Sequence, residues 1–188
     1  MIVVGLLLAA GAGRRMGMPK ALVLDEAGTP WAVRAVRTLR AGGCDEVVVV
    51  LGAEVDAARE ALDAEAVDIV MAADWADGMG ASLRAGLSHL LSAGSTADAA
   101  LVHLVDLPDV GAPVVARVAE LAGPAVLARA AYASGVPGHP VLLGRDHWAG
   151  VQATAAGDRG ARDYLHGRAV VEVDCADLAG GADVDRML

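Results

Sequence analysis

Apolar residues in this chain follow two rhythms. Unbroken runs such as IVVGLLLA (residues 2–9) and DEVVVVLG (45–52) predict strands buried on both faces. Between them, apolar residues recur every three or four positions, the spacing of one helix face. WAVRAVRTLR (31–40) sets Val33, Val36 and Leu39 on one side and Arg34, Arg37 and Arg40 on another. Thr29 as cap and Pro30 at the first helical position open this helix, and Gly42 and Gly43 close it. AEVDAAREALDA (53–64) turns Val55, Ala58 and Leu62 inward, and GMGASLRAGLSHLL (78–91) aligns Leu83, Leu87, Leu90 and Leu91. APVVARVAELA (112–122) and GARDYLHG (160–167) read as further helices. VDIVMA (67–72), AALVHLV (99–105), PAVLARA (124–130), HPVLLG (139–144) and AVVEVD (169–174) read as further strands. Strand and helix alternate, which predicts an α/β architecture: a largely parallel sheet covered by helices on both faces. Without a linker or repeat, residues 1–188 are expected to form one domain. YASGVPGHP (132–140) is expected to be an exposed, mobile loop.

Composition narrows the class. Apolar residues make up 55% of the chain, yet aromatics only 3%, and phenylalanine is absent. The core is therefore layered from alanine, valine and leucine. The formal charge of −9 argues against broad nucleic-acid binding, which needs a basic surface. Cys44 and Cys175 stand far apart without metal-ligand spacing and are expected as two thiols. The first apolar run has nothing basic before it and is shorter than the about 20 residues that cross a bilayer. It reads as a buried strand of a cytoplasmic protein with no membrane contact.

Candidate chemistry gathers where strands end. LAAGAGRRMGMPKAL (residues 8–22) holds Arg14, Arg15 and Lys20, the chain's one lysine. In open α/β sheets, ligands bind beyond the carboxyl ends of the strands. Gly11, Gly13 and Gly17 allow several N–H groups to face one anion there. The spacing GxGxxxG misses the dinucleotide fingerprint GxGxxG, and no hydroxyl follows Lys20 to hold magnesium as in a P-loop. Two readings stand: an anion cradle with a compact point charge at Lys20, or a glycine turn with solvated cations. Asp106 either holds Mg²⁺ against substrate phosphates or merely opens the turn before Pro108. Asp183 and Asp185 matter only if the chain end returns to Asp106. Gly78 and Gly80, with Ser82 and Arg84 beyond them, either offer N–H groups at a helix start to a base or phosphate or are merely a glycine-rich entry to an amphipathic helix. His139 is the one histidine candidate; His89, His103 and His166 read as structural. No Ser/His/Asp or Cys/His set can be argued.

LAAGAGRRMGMPKAL resembles the LAAGxxxRMGxxK signature of the MobA-like nucleotidyltransferase superfamily. DWADGMGASLRAGL (74–87), VDLPDV (105–110), GHPVL (138–142) and GDRGARDYL (157–165) follow in the order of its molybdenum cofactor cytidylyltransferase branch. The resemblance implies a three-layer Rossmann-like (GT-A type) domain with a mostly parallel mixed sheet. It implies nucleotidyl transfer from an NTP to a phosphorylated acceptor, molybdopterin in that branch, with Mg²⁺ as cofactor, release of pyrophosphate, and a molybdoenzyme receiving the product. Carried onto this chain, Leu8 to Gly13 wrap the nucleotide through Leu8, Ala9, Ala10, Gly11 and Gly13, with backbone atoms of Ala9 and Ala10 near the base. Arg14 and Lys20 bind the triphosphate and act with Asp106 in catalysis. Gly78 and Ser82 line the base and ribose side, and Asp106 and Asp185 bind metal. LAAG in place of the LAGG of guanylyltransferases implies CTP rather than GTP. The chain departs from the family where DVDRML lacks the Thr-Pro-Glu-Asp continuation and where Leu107 replaces a glutamine. The alternatives are a sugar or alcohol phosphate acceptor, or a nucleotide- or molybdopterin-binding accessory protein without turnover.

Overall fold

A computed structural model describes residues 1–184. Seven strands form, each within or overlapping a run expected from the sequence: β1 (Val3–Leu8), β2 (Glu46–Leu51), β3 (Asp68–Met71), β4 (Ala99–Leu104), β5 (Leu127–Tyr132), β6 (Val136–Gly144) and β7 (Val171–Asp174). They make one sheet of order β3-β2-β1-β4-β6-β5-β7. β1 is buried at every position, as an unbroken apolar strand must be at a sheet centre. It pairs in parallel with β2 and β4, while β6 runs antiparallel to both β4 and β5. The sheet is therefore mixed and mostly parallel. The strand order reverses between β1 and β4, whose final residues Leu8 and Leu104 pair in register. That reversal opens the crevice in which α/β sheets hold ligands.

Helices cover both faces. α1 (Trp31–Ala41), α2 (Val55–Leu62) and α4 (Ala112–Ala119) pack on one through Val36, Leu39, Leu62 and Val115. α3 (Met79–Ser92), α5 (Trp148–Thr154) and α6 (Arg162–Leu165) pack on the other through Leu83, Leu87, Trp148 and Leu165. The two aliphatic cores, one per face, are what a composition without phenylalanine predicts.

Four local expectations are corrected. Pro30, not Thr29, occupies the cap of α1. Thr29 is engaged in a turn, its N–H donating to Asp25 Oδ1 at 2.9 Å and its carbonyl accepting from the Asp25 N–H at 2.9 Å. YASGVPGHP is not a free loop: Ala133–Gly135 is a single 3-10 turn joining β5 to β6. Antiparallel neighbours need only such a short connection, and the Tyr132 hydroxyl donates to the His139 carbonyl across it. α5 is a helix that the apolar spacing does not predict, because Gly150 interrupts it and Trp148 and Val151 are its only buried residues. It forms because Trp148 is buried and donates its indole N–H to the Leu143 carbonyl at 2.8 Å. Leu91 is 41% exposed, so the inward stripe of α3 is Leu83, Leu87 and Leu90.

Candidate active site

A cavity of about 320 Å³ lies at the carboxyl ends of β1 and β4, and three segments enclose it. The first is the glycine loop. Gly13 has φ +58, and a β-carbon there would stand 1.9 Å from the Met18 carbonyl oxygen, so no other residue fits this turn. The turn is closed by the Met16 N–H donating to the Gly13 carbonyl at 2.8 Å. It lays Ala10, Gly11, Gly13 and Arg14 along one wall.

The start of α3 forms the second wall. Gly78 caps the helix with φ +104 and backs onto the Gly157–Asp158 backbone, where a β-carbon would meet Asp158 Oδ1 at 2.5 Å. Gly78 and the buried Ser82 of the first turn line the cavity. Free N–H groups and the helix dipole at this end favour an anion.

The third is Asp106, just past β4. Lys20 Nζ donates to Asp106 Oδ2 at 2.6 Å, with the two side chains 17% and 16% exposed. The chain's one lysine and the β4 aspartate, 86 residues apart, thus meet inside the cavity. The chain end comes back to the same place. The Val184 N–H donates to the Asp106 carbonyl at 3.0 Å, and Asp109 Oδ2 accepts from the N–H groups of Gly180 and Gly181 at 2.8 and 3.0 Å. Asp185, the second expected metal ligand, lies outside the described residues.

Eight of the expected nucleotide and catalytic positions besides Leu8 therefore share one cavity, and Leu8 lines it too. Ala9 does not. Its N–H donates to the Val50 carbonyl at 2.9 Å, and its side chain joins the core behind the wall. Ala10 lines the cavity, while its carbonyl accepts from the Ala53 N–H at 3.0 Å. Arg84 serves packing: it donates to the Ala155 carbonyl and to Asp74 Oδ2, each at 2.7 Å. Trp75 and Asp158 line the cavity without having been singled out from the sequence. Asp158 carried a readable signal, since it lies between Gly157 and Gly160, both at positive φ.

Asp106 and Asp158 are, among the described residues, the two carboxylates that line the cavity. Among the described residues no group of three or more His, Cys, Asp or Glu side chains stands ready for a metal. This donor set suits a hard cation that takes only one or two carboxylates and completes its shell with phosphate and water, the habit of Mg²⁺. Both cysteines are buried free thiols, and burial pushes that of Cys44 up to about 12. Among the described residues no helix is long and apolar enough to cross a membrane.

Comparison with known proteins converges on one family. Residues 5–173 match the model of the MobA-like NTP transferase domain. A nicotine blue oxidoreductase of Paenarthrobacter nicotinovorans is 40% identical over 192 residues, spanning 97% of this chain and 92% of that protein. Among solved structures, Rv0371c of Mycobacterium tuberculosis H37Rv matches with TM-score 0.83 at 28% identity, over 99% of this chain and 93% of that one. The same protein solved in complex with manganese gives a TM-score of 0.77 at 27% identity, over 98% and 94%. A nucleotidyl transferase of Methanothermobacter thermautotroptrophicus shares the fold, with TM-score 0.73 at 24% identity over 92% and 87%.

Proposed function

We infer the activity from one premise: this chain belongs to the MobA-like NTP transferase family. It is a nucleotidyltransferase of that family, and the reaction we propose carries CMP from CTP to the phosphate of molybdopterin. An acceptor phosphate oxygen bonds to the α-phosphorus, the bond from that phosphorus to the bridging oxygen breaks, and pyrophosphate leaves with the electron pair. The nucleophile is already anionic, so no activated serine or cysteine is needed. The protein's part is in-line positioning and neutralisation of the charge that builds on the phosphates.

The observation that carries this reading is the Lys20–Asp106 contact at 2.6 Å within a cavity that also presents the glycine loop and the start of α3. Lys20 and Arg14 supply positive charge on the triphosphate side. Asp106 orients the Lys20 ammonium and, with phosphate oxygens, would hold Mg²⁺. When bound, that ion adds charge neutralisation at the transferring phosphate. The methyl group of Ala10 takes space that the glycine of LAGG chains leaves open, which favours the smaller cytosine. The proposal extends to a single-domain cytoplasmic enzyme that hands its product to a molybdoenzyme.

Pyrophosphate release from CTP, GTP and ATP, with Mg²⁺ and molybdopterin, tests the reading. CTP is expected to be turned over fastest. Release from GTP alone would overturn the cytidylyl assignment, and release from none would overturn the transfer itself. The 40% identical relative named as an oxidoreductase favours a second reading, in which this nucleotide cavity serves a redox reaction. Reduced nicotinamide consumed with nicotine blue, in a preparation that releases no pyrophosphate, would put that reading in place of the first.

A further inference from the structure

The segment that follows β7 returns past β5 and β6 to Asp106 at the end of β4, and it is pinned at two points. The first lies beside β7. There the Cys175 N–H donates to the Ala131 carbonyl at 2.8 Å, and Arg117 of α4 donates to both carboxylate oxygens of Asp177, at 2.5 and 3.0 Å. Leu178, Ala179 and Val184 then rest on the aliphatic core under α1, α2 and α4. The second point is Asp109, whose Oδ2 accepts from the N–H groups of Gly180 and Gly181 at 2.8 and 3.0 Å. Three residues after Gly181, the Val184 N–H donates to the Asp106 carbonyl at 3.0 Å.

Both halves of the Asp109 contact are shaped for it. Two successive N–H groups converge on one charged oxygen, as in the backbone nests that capture anions. Gly181 has φ +70, and a β-carbon there would stand 2.2 Å from Tyr132 Cδ2. Conformation and space therefore both exclude a side chain at this position. The Tyr132 ring has little room to yield, because it is buried and its hydroxyl donates to the His139 carbonyl. His139 lies on β6, in the hairpin that also walls a second cavity of about 480 Å³, adjoining the first at Leu8 and Met79. On the other side, Asp106 and Asp109 share one short turn. Val105, Leu107 and Val110 anchor it in the core, the Val110 N–H donates to the Leu107 carbonyl at 3.2 Å, and Arg34 Nη1 donates to the Pro108 carbonyl at 3.2 Å. The Asp109 carboxylate also lies within electrostatic reach of Arg34, so charge pairing with α1 is its rival role.

We propose that Asp109 is a positioning residue for the reaction. By clasping Gly180 and Gly181 it seats Val184 on the Asp106 carbonyl, and so fixes the peptide that carries the Asp106 side chain against Lys20. That side-chain contact is 2.6 Å long, and a short charge-assisted bond tolerates little drift of the backbone beneath it. Asp109 does not itself line the cavity; it acts through the returning segment. The kinetic consequence rests on the transferase reading, whereas the clasp stands on the bonds alone.

Amide exchange and the Asp106 carbonyl carbon shift, followed by NMR on the full chain, read the clasp. Pyrophosphate release from CTP with Mg²⁺ and molybdopterin reads its consequence. In Asp109→Ala the amides of Gly180, Gly181 and Val184 are expected to exchange about tenfold faster or more, and the Asp106 carbonyl signal to move. kcat should fall about tenfold while KM for CTP stays within about twofold, the pattern of lost positioning rather than lost binding. Asp109→Asn keeps an oxygen in the same place and is expected to restore exchange and kcat to within about threefold. Should Asp109→Ala unfold early, Gly181→Ala opens the clasp from its other side and is expected to give the same exchange and the same loss of kcat. The double variant should then fall no lower than the worse single one. Unchanged exchange at Val184 in Asp109→Ala, or faster exchange with kcat intact, would overturn the proposal. So would an Asp109→Asn chain as damaged as Asp109→Ala, which would make charge pairing with Arg34 the duty of the carboxylate. Failure of the unaltered chain to release pyrophosphate from any nucleotide would defeat the transferase reading, and the exchange rates and carbonyl shift would still decide the clasp.

Discussion

The two adjoining cavities are built by opposite means. The first cavity lies on the parallel half of the sheet and is walled largely by backbone, a glycine turn and a helix start, with the Lys20–Asp106 ion pair between them. The second lies over the antiparallel insertion of β6 and is walled by side chains, aliphatic below and arginine at the edge. Backbone amides at a helix start and a lysine suit an anion such as a phosphate. An aliphatic floor edged by arginines offers apolar contact and shape instead.

Breaking the ion pair gives the largest expected effect. Lys20→Ala should lower pyrophosphate release by about 10²–10³-fold, the usual result of removing one preorganised charge donor. Asp106→Asn should cost a similar factor. Because the two groups touch at 2.6 Å, the double variant should fall little below either single one, as residues acting as a unit do. Steady-state rates of the three variants check this; losses that simply multiply would show that Lys20 and Asp106 act separately.

A smaller effect tests whether the first cavity is shaped by backbone. Gly13→Ala places a methyl group on the Met18 carbonyl at φ +58, a conformation that costs a non-glycine residue on the order of 1–3 kcal/mol. Urea unfolding should show that loss, and CTP affinity should fall with it because the loop must shift. Gly17→Ala, at φ +76 but with nothing within 4 Å of the new carbon, should cost less. Equal losses at both positions would mean that backbone conformation, not crowding against Met18, sets the demand for glycine.

This difference in construction also explains what the sequence discloses. The strands were legible because buried strands announce themselves as apolar runs. The first cavity was legible because its parts are contiguous and chemically odd: glycines at fixed spacing, a lone lysine and an aspartate ending a strand. The meeting of Lys20 with Asp106 was not, since 86 residues separate them and only the parallel pairing of β1 with β4 joins their loops. The second cavity was nearly invisible. Leu143, Val141 and Leu165 read as ordinary core residues, Arg129 reads as one arginine among fourteen, and the supposed loop at 132–140 proved to be the hairpin carrying His139. A site made of side chains contributed singly by distant strands leaves no local pattern to find.

Acid separates the two regions with the smallest effect. Among the described residues the first cavity has no histidine in its lining, whereas His139 lines the second, and His103 on β4 is influenced by it. Burial foremost, then His139 and Arg34, lower His103 to about 3, and its Nδ1 has no hydrogen-bond partner. The unfolded chain takes up a proton at this residue near pH 6.5 that the folded chain refuses. The resulting stability is present above that pH and lost as pH falls toward 3. Between pH 7 and pH 5, this one group should remove on the order of 1–2 kcal/mol. His103→Leu, which deletes both the titration and the unpaired nitrogen, should flatten the decline by that amount without loss of stability at pH 7. Urea unfolding of both chains at the two pH values measures it. A parallel decline in the two would assign the acid sensitivity to carboxylates elsewhere and leave His103 as inert packing on β4.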